Sequence, residues 1–197
     1  MNKKFFIFIL LSAFLLSSCV VLPPPTTENE SDPVEKSFYK EERITKKPFG
    51  IKISPADSPV QPERFSGYHT GADFEVFEDE MDSDIEIHAI CEGPRILSSR
   101  STGYGGVVVQ RCVYKGNDVT VVYGHLKFSS FLKTSDDILK KGQYIGILGE
   151  GFSEDTDGER KHLHLGVHKG VKINLLGYVQ DESLLDMWID PVELLSE

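Results

Sequence analysis

Short runs of alternating apolar and polar residues, separated by turns, dominate the chain from Ile51 onward. Alternation of this kind is typical of β-strands that bury one face. Gly105-Gly106 and Gly116-Asn117 mark two of the breaks between runs. The segments that we predict as strands are Phe74–Phe77, Ile85–Cys91, Arg95–Ser99, Val107–Tyr114, Val119–Tyr123, Tyr144–Leu148 and Leu163–His168.

Helical signals are sparse in the same region, and the clearest one lies near the end of the sequence. Asp190 is a good N-cap, Pro191 suits a first helical turn, and Glu193 has the spacing of a capping-box residue. The pattern therefore predicts a mainly β domain over residues 51–197, with an antiparallel sheet core or sandwich and a short C-terminal helix.

The first 18 residues follow a different pattern, that of an export signal. Two lysines precede the twelve-residue run Phe5–Leu16, which is apolar except for Ser12. A membrane-spanning helix needs about 20 apolar residues, so this run has the proportions of a secretory signal instead. It ends in Leu-Ser-Ser-Cys19, which resembles a bacterial lipobox. The resemblance implies a lipoprotein signal peptide over 1–18, and lipidation of Cys19 that attaches the protein to a membrane.

Residues 19–50 have the composition of a flexible tether. Eight of the ten prolines lie at or before Pro62, and the segment is rich in charge. Such a composition buries too little apolar surface to offset the entropy of ordering. Phe38, Tyr39 and Phe49 are apolar enough to dock on the domain, so we treat the boundary at residue 50 as approximate.

Net charge and cysteine content narrow the possible partners and the compartment. Lys and Arg total 21 against 31 Asp and Glu, which argues against a nucleic-acid partner. The leader places the domain in the oxidising cell envelope, and Val20 favours the outer membrane facing the periplasm in a cell with two membranes. There Cys91 and Cys112 either form a disulfide, which would add about 3 kcal/mol, or remain two free thiols.

Three separate groups of residues have the chemistry of a metal site. His162 and His164 lie two apart in a predicted strand, so both rings face one side while the intervening leucine faces the core. His69 and Asp73 lie four apart at a turn that enters a strand, and His125 ends an apolar strand. Catalytic zinc takes three protein ligands and keeps one position open. Alone, the His162–His164 pair and the His69–Asp73 pair are better explained as polar residues of an exposed strand face and a surface turn, and His125 is equally compatible with an ordinary strand end.

Together the three groups resemble the zinc endopeptidases of the lysostaphin and LytM type, peptidase family M23. The sequences HTGAD, YGHL, KKGQYIGILG and HLH occur in the family's order, and the resemblance spans roughly residues 55–195. It implies a LytM-type β fold, a Zn²⁺ cofactor, and hydrolysis of peptide bonds in the cross-links or bridges of bacterial cell-wall peptidoglycan. Stem or bridge peptides would then be the substrates.

Carried over by position, the resemblance implies a role for each of five residues. The zinc ligands would be His69, Asp73 and His164. The neighbouring His162 would deprotonate or polarise the zinc water, and His125 would assist by hydrogen bonding to the water or the oxyanion. His88 and His168 match no motif position. We expect His88 to be a structural or surface residue, and His168 to be either a surface residue or part of the groove edge.

Two departures from the family pattern lie just before HLH. The loop over 151–161 is long and acidic, and Lys161 stands where proline is common. The acidic residues of 154–159 suggest selection of cationic or amine-bearing wall peptides. The alternative function, known from relatives that lack zinc ligands, is a non-enzymatic regulator that activates other wall hydrolases, with cell-division or wall-hydrolase proteins as partners.

Overall fold

The computed structural model describes residues 38–131 and 137–196, and most of its regular structure is β-strand. The strands are β1 (Lys52–Ile53), β2 (Gly67–His69), β3 (Gly71–Glu75), β4 (Glu86–His88), β5 (Gly93–Ser101), β6 (Gly105–Tyr114), β7 (Asn117–Leu126), β8 (Ile138–Leu139), β9 (Tyr144–Ile147), β10 (His162–Lys169), β11 (Tyr178–Val179) and β12 (Trp188–Ile189). The described residues also contain four short 3-10 helices, which cover Glu41–Arg43, Glu78–Glu80, Phe128–Ser130 and Glu182–Met187, and one α-helix, α1, which covers Pro191–Leu195. The mainly β prediction is confirmed.

The leader 1–18, Cys19 and the tether up to residue 37 lie outside the described residues. These three predictions therefore stay predictions. Within 38–131 and 137–196, no helix is both long enough and apolar enough to cross a membrane.

A seven-stranded antiparallel sheet forms the centre of the domain. Its strands follow the order β12-β10-β7-β6-β5-β8, and β3 pairs with β10 as well. One edge of β10 pairs with β7, while its other edge pairs first with β3 and then with β12. Two smaller sheets, β1-β2-β11 and β4-β9, flank this arrangement. Strand β10 therefore lies next to strands from both the N-terminal and the C-terminal half of the sequence.

The hydrophobic core lies on the side of β10 opposite its histidines, as the alternation predicts. Leu163, Leu165 and Val167 are fully buried in the main apolar cluster. Phe74 from β3 and Tyr123 from β7 join them there. Burying each such side chain contributes roughly 1.5–3 kcal/mol, so the core fixes which face of β10 its histidines occupy.

All seven predicted strands overlap observed strands, whereas five short strands were not predicted. β1, β2, β8, β11 and β12 contain two or three residues each, too few to show alternation. Helix α1 begins as expected, because the Asp190 carboxylate accepts a hydrogen bond from the Val192 amide at 3.0 Å. Glu193 does not complete a capping box; its carboxylate accepts a hydrogen bond from the Tyr114 hydroxyl at 3.4 Å.

The predicted tether extends too far, because residues 38–50 pack against the domain. The rings of Phe38 and Tyr39 lie 6.5 and 5.9 Å from the ring of Phe74, and Phe38 is buried in the main core. Arg43 lies between the rings of Phe38 and Phe77 at 4.5 and 4.1 Å. The composition does not predict this packing, because only a few aromatic rings and one arginine make the contacts and the rest of the segment is polar. The domain therefore includes residues 38–50.

An ion pair between Arg43 and Glu80 helps to hold this segment. Hydrogen bonds of 2.6 and 2.8 Å from Arg43 lower the pKa of Glu80 to about 2. A lowered folded-state pKa stabilises the fold at pH values above the ordinary pKa of 4.5, and this contribution is lost as the pH falls toward about 2. We expect Glu80→Gln to lower the free energy of unfolding by about 1–2 kcal/mol at pH 7. Urea titrations should show this deficit shrinking below pH 4.5; a deficit independent of pH would contradict the assignment.

Cys91 and Cys112 are joined by a disulfide, with their Cα atoms 6.1 Å apart. Cys112 lies on β6, and Cys91 follows β4. The carbonyl of Cys91 also accepts a hydrogen bond from Gln110 at 3.0 Å. Of the two alternatives that the sequence leaves open, a disulfide or two free thiols, the structure shows the disulfide.

Candidate metal centre

The pairing of β3 with β10 places a carboxylate directly opposite an imidazole. His164 faces Asp73 across the ladder, and His162 faces Glu75. Directly opposite residues of antiparallel strands project to the same side of the sheet. The polar face of β10 and the polar face of β3 therefore form one surface, and His69 joins it from the end of β2.

Three donor atoms converge on one point of this surface. His69 Nε2 lies 3.0 Å from His164 Nδ1, and Asp73 Oδ1 lies 3.3 and 3.2 Å from these two nitrogens. All three residues are buried and form a set able to hold a metal ion. Ligand atoms of tetrahedral zinc, with bonds of ~2.0–2.1 Å, lie about 3.3 Å from one another. The observed spacing therefore fits a zinc-sized ion.

Protonation states also suit a metal. Burial lowers the pKa of His164 to about 4, so its ring is neutral at pH 7. Burial alone would raise the pKa of Asp73, but the imidazoles of His162 and His69 outweigh it and hold that pKa well below its usual range. Metal binding requires neutral histidines and ionised carboxylates. His164 and Asp73 are thus in the protonation states that a metal ligand needs.

Residues 47–50 hold two of these ligands in place through the backbone. The Pro48 carbonyl lies 3.2 Å from His69 Nδ1, so that nitrogen carries the proton and Nε2 keeps its lone pair. The Lys47 carbonyl accepts a hydrogen bond from the Asp73 amide at 3.0 Å, and the Gly50 amide donates to the His69 carbonyl at 2.9 Å. Sequence reasoning missed these partners because the segment reads as part of the tether.

His162 and His125 stand beside the three donors. Their ring centroids are 4.3 Å apart. His162 Nδ1 donates to the Arg160 carbonyl at 2.8 Å, and its Nε2 lies 3.3 Å from Asp73 Oδ2. Burial and the neighbouring His162 hold the pKa of His125 well below its ordinary value. The structure therefore brings all five predicted site residues into one cluster.

His125 adopts a left-handed backbone conformation, with φ of 63°. Such a conformation is uncommon for a residue with a side chain and is found disproportionately at functional sites. It turns the chain at the end of β7, next to Gly124, which lies opposite His164. A side chain at Gly124 would meet the Tyr104 ring at 2.3 Å, so glycine is required there.

An open cavity of about 280 Å³ lies over the cluster and is lined by Asp73, His125, His162 and His164. Its walls include aromatic rings that the sequence did not single out. The Tyr178 ring stacks on His69 at 5.1 Å and on Phe65 at 5.5 Å, and Tyr104 packs against His164 at 5.2 Å. Burial raises the pKa of both tyrosines, which keeps their hydroxyls protonated as hydrogen-bond donors.

The wall that carries Tyr178 belongs to a segment without any motif, residues 170–181. It is fixed to the metal-site strands, because the Thr70 amide donates to the Gly177 carbonyl at 3.1 Å and the Thr70 hydroxyl to the Leu176 carbonyl. Tyr178 itself pairs with His69 in the β2–β11 ladder. A glycine-tyrosine-glycine sequence at 103–105 could have pointed to Tyr104, but nothing in the pattern of 170–181 pointed to Tyr178.

The four acidic residues of the loop before β10 form ion pairs with two arginines of the same domain. Arg100 contacts Glu154 and Asp155 at 3.1 and 3.2 Å. Arg64 contacts Asp157 and Glu159 at 2.8 Å each. Of these four acids, only Glu159 lines the cavity. The structure therefore gives no support to the hypothesis that this loop selects cationic peptides.

Lys161 and the two unassigned histidines have structural environments. The buried Lys161 ammonium donates to the carbonyls of Met81 and Ser83 at 2.7 and 2.8 Å, which explains a lysine where the family often has proline. His168 packs on Trp188 at 4.8 Å, and His88 is half-buried beside Tyr144. Neither histidine is in the set of three converging donors.

Comparisons with known proteins complete the description of the site. A search of curated proteins gave no significant match. Among solved structures, Helicobacter pylori Csd3 in two crystal forms is 27% and 30% identical, with TM-scores of 0.44 and 0.43 over 72% of this chain. The chain spans about one third of Csd3, 33% and 32% in the two crystals. LytU is 22% identical, with a TM-score of 0.49 over 81% of this chain and 94% of its own.

The family model described as peptidase family M23 matches residues 67–175. This match covers more than half of the sequence and includes all five site residues, so the chain belongs to this family.

Proposed function

We propose that this protein is a zinc-dependent endopeptidase that hydrolyses peptide bonds in the cross-links or bridges of bacterial cell-wall peptidoglycan. One observation carries the proposal: the His69–Asp73–His164 donor set is complete, and it lies at an open cavity with His162 beside it. A regulator that only binds other hydrolases has no chemical need for this arrangement. Family membership supports the choice of peptidoglycan as the substrate class.

The residues around the donor set are suited to managing the protons of the reaction. Zinc, when bound, would polarise the scissile carbonyl and lower the pKa of water toward 7. The bond from His162 Nδ1 to the Arg160 carbonyl leaves His162 Nε2 with a lone pair at the cavity. This nitrogen can accept a proton from the attacking water and then give it to the leaving amine.

Neutral donors complete the proposed machinery. The lowered pKa of His125 keeps its imidazole uncharged, so it can hydrogen-bond without repelling the cation or His162. The raised pKa of Tyr104 keeps its hydroxyl protonated where it lines the cavity, suited to an oxyanion. Buried donors of this kind act with little reorganisation, because packing has already fixed them.

Digestion of purified peptidoglycan tests this proposal directly. We expect the full-length chain, purified in detergent, to release peptide-containing fragments whose masses identify the bond that is cut. A chelator should abolish the release, and added Zn²⁺ should restore it. Release that is unaffected by the chelator would contradict the zinc mechanism. A chain that holds no zinc and releases nothing would favour the regulator.

We further propose that the protein is exported and attached through lipid at Cys19 to the outer membrane, facing the periplasm, in a cell with two membranes. The leader and its final Leu-Ser-Ser-Cys19 support export, and the Cys91–Cys112 disulfide suits an oxidising compartment. In a bacterial host, we expect the protein in the membrane fraction and Cys19→Ala in the soluble or uncleaved form. Recovery of unmodified protein with an intact N-terminus would contradict this proposal.

A further inference from the structure

Arg160 is a buried arginine that touches the candidate metal ligands without being one. It is 9% exposed and lies two residues before His162. Its Nη2 donates to Asp73 Oδ2 at 2.9 Å, and its Nε lies 3.0 Å from both carboxylate oxygens of Glu75. Lys46 also contacts Glu75, at 3.2 Å. Two cations thus balance two carboxylates, so the cluster is held without excess charge.

The two carboxylate oxygens of Asp73 have different partners, and the Arg160 guanidinium contacts only one of them. Oδ1 faces the nitrogens of His69 and His164, whereas Oδ2 is held by Arg160. A carboxylate without such a partner can rotate and exchange its oxygens or bind a metal through both. Because a guanidinium is a planar, fixed fork of donors, it holds the carboxylate in one orientation.

The backbone of the same residue orients the candidate base. The Arg160 carbonyl accepts a hydrogen bond from His162 Nδ1, which places the lone pair of the neutral ring on Nε2, 3.3 Å from Asp73 Oδ2. The side chain of Arg160 is anchored on β3, so its carbonyl has a fixed position relative to Asp73. One residue therefore couples the orientation of a metal ligand to the orientation of the base.

We propose that Arg160 is a positioning residue, which fixes Asp73 in a single binding mode and aligns His162 with it; this inference rests on the proposed zinc site. Removing partners of this kind typically costs 10–100-fold in metal affinity. The role is distinct from anchoring the loop before β10, which Arg64 and Arg100 also do without touching a ligand.

The test compares zinc affinity in three variants of the full-length chain, measured by competition with a chromophoric chelator. Arg160→Gln should weaken zinc binding 10–100-fold. Arg64→Gln is the matched control: Arg64 lies between β1 and β2, has an equally long side chain and contacts the same loop through Asp157 and Glu159, and its variant should bind zinc within about twofold of wild type. The double variant Arg160→Gln/Glu75→Gln removes one positive and one negative charge, which protects the fold, and should still bind zinc more weakly.

A second measurement separates positioning from stability. The visible absorption of bound Co²⁺ reports the ligand arrangement, and it should change in Arg160→Gln but not in Arg64→Gln. Wild-type zinc affinity and an unchanged cobalt spectrum in both Arg160 variants would overturn the inference and leave the proposed function intact. Equal losses of zinc affinity in Arg160→Gln and Arg64→Gln would overturn it too, because anchoring of the loop alone would then explain both results. A wild-type chain that binds no zinc would refute the proposed function itself.

Discussion

Replacing His162 by alanine is expected to leave zinc bound while lowering peptidoglycan cleavage by about 10²–10⁴-fold. Its Nε2 is not in the set of three converging donors, although it lies only 3.3 Å from Asp73 Oδ2. Its Nδ1 donates to the Arg160 carbonyl, which leaves the lone pair on Nε2, and the residue lines the cavity. The variant should therefore remove the proton acceptor and keep the ligands. Zinc content and cleavage rate, measured on the same preparation, check both halves.

His168→Ala is the matched control for this variant. His168 lies on the same strand and the same face as His162, but it packs on Trp188 instead of the donor set. We expect the cleavage rate of His168→Ala to stay near that of wild type. Loss of zinc from His162→Ala would make His162 a ligand, and a rate within tenfold of wild type would remove its role as base. Either result contradicts the assignment.

The His-Leu-His alternation carried more information than any other feature of the sequence. Strand geometry alone predicts that His162 and His164 share a face and that Leu163 lies in the core, and the structure agrees. Which carboxylate faces His164 is a different matter. Asp73 is 91 residues away, and only the antiparallel register of β3 and β10 places it there. Local patterns do not specify such a register, so the family resemblance supplied that assignment.

The residues that sequence reasoning missed share a physical reason. They act through isolated long-range contacts, which leave no periodic trace. Tyr178 reaches His69 from a segment without strand-length alternation, and the Pro48 contribution is a backbone carbonyl, which any residue could supply. Because Arg160 is charged, the sequence alone predicts an exposed residue. Its ion pairs with two carboxylates, Asp73 and Glu75, stabilise it in the buried position instead. Charged residues in loops become predictable only once their partners are known.

A chain that starts at Ile51 is expected to lose zinc binding and most of its stability, whereas a chain that starts at Phe38 should keep both. The segment 38–50 supplies Phe38 to the core and the Lys47–Glu63 ion pair, a buried contact of 2.6 Å. Losing a buried phenylalanine alone costs about 3–5 kcal/mol. Domains are typically stable by only 5–15 kcal/mol, so this truncation removes a large share.

The same truncation strips both orienting carbonyls from the metal site, those of Lys47 and Pro48. Adding Zn²⁺ should therefore raise the melting temperature of the chain from Phe38 and have little effect on the chain from Ile51. To separate loss of orientation from loss of the core, Phe38→Ala in the longer chain serves as the control: it should melt earlier yet still be stabilised by zinc. If the chain from Ile51 folds and binds zinc as tightly as the longer one, then residues 38–50 are a tether after all, because the family-matched strands would suffice to build the site.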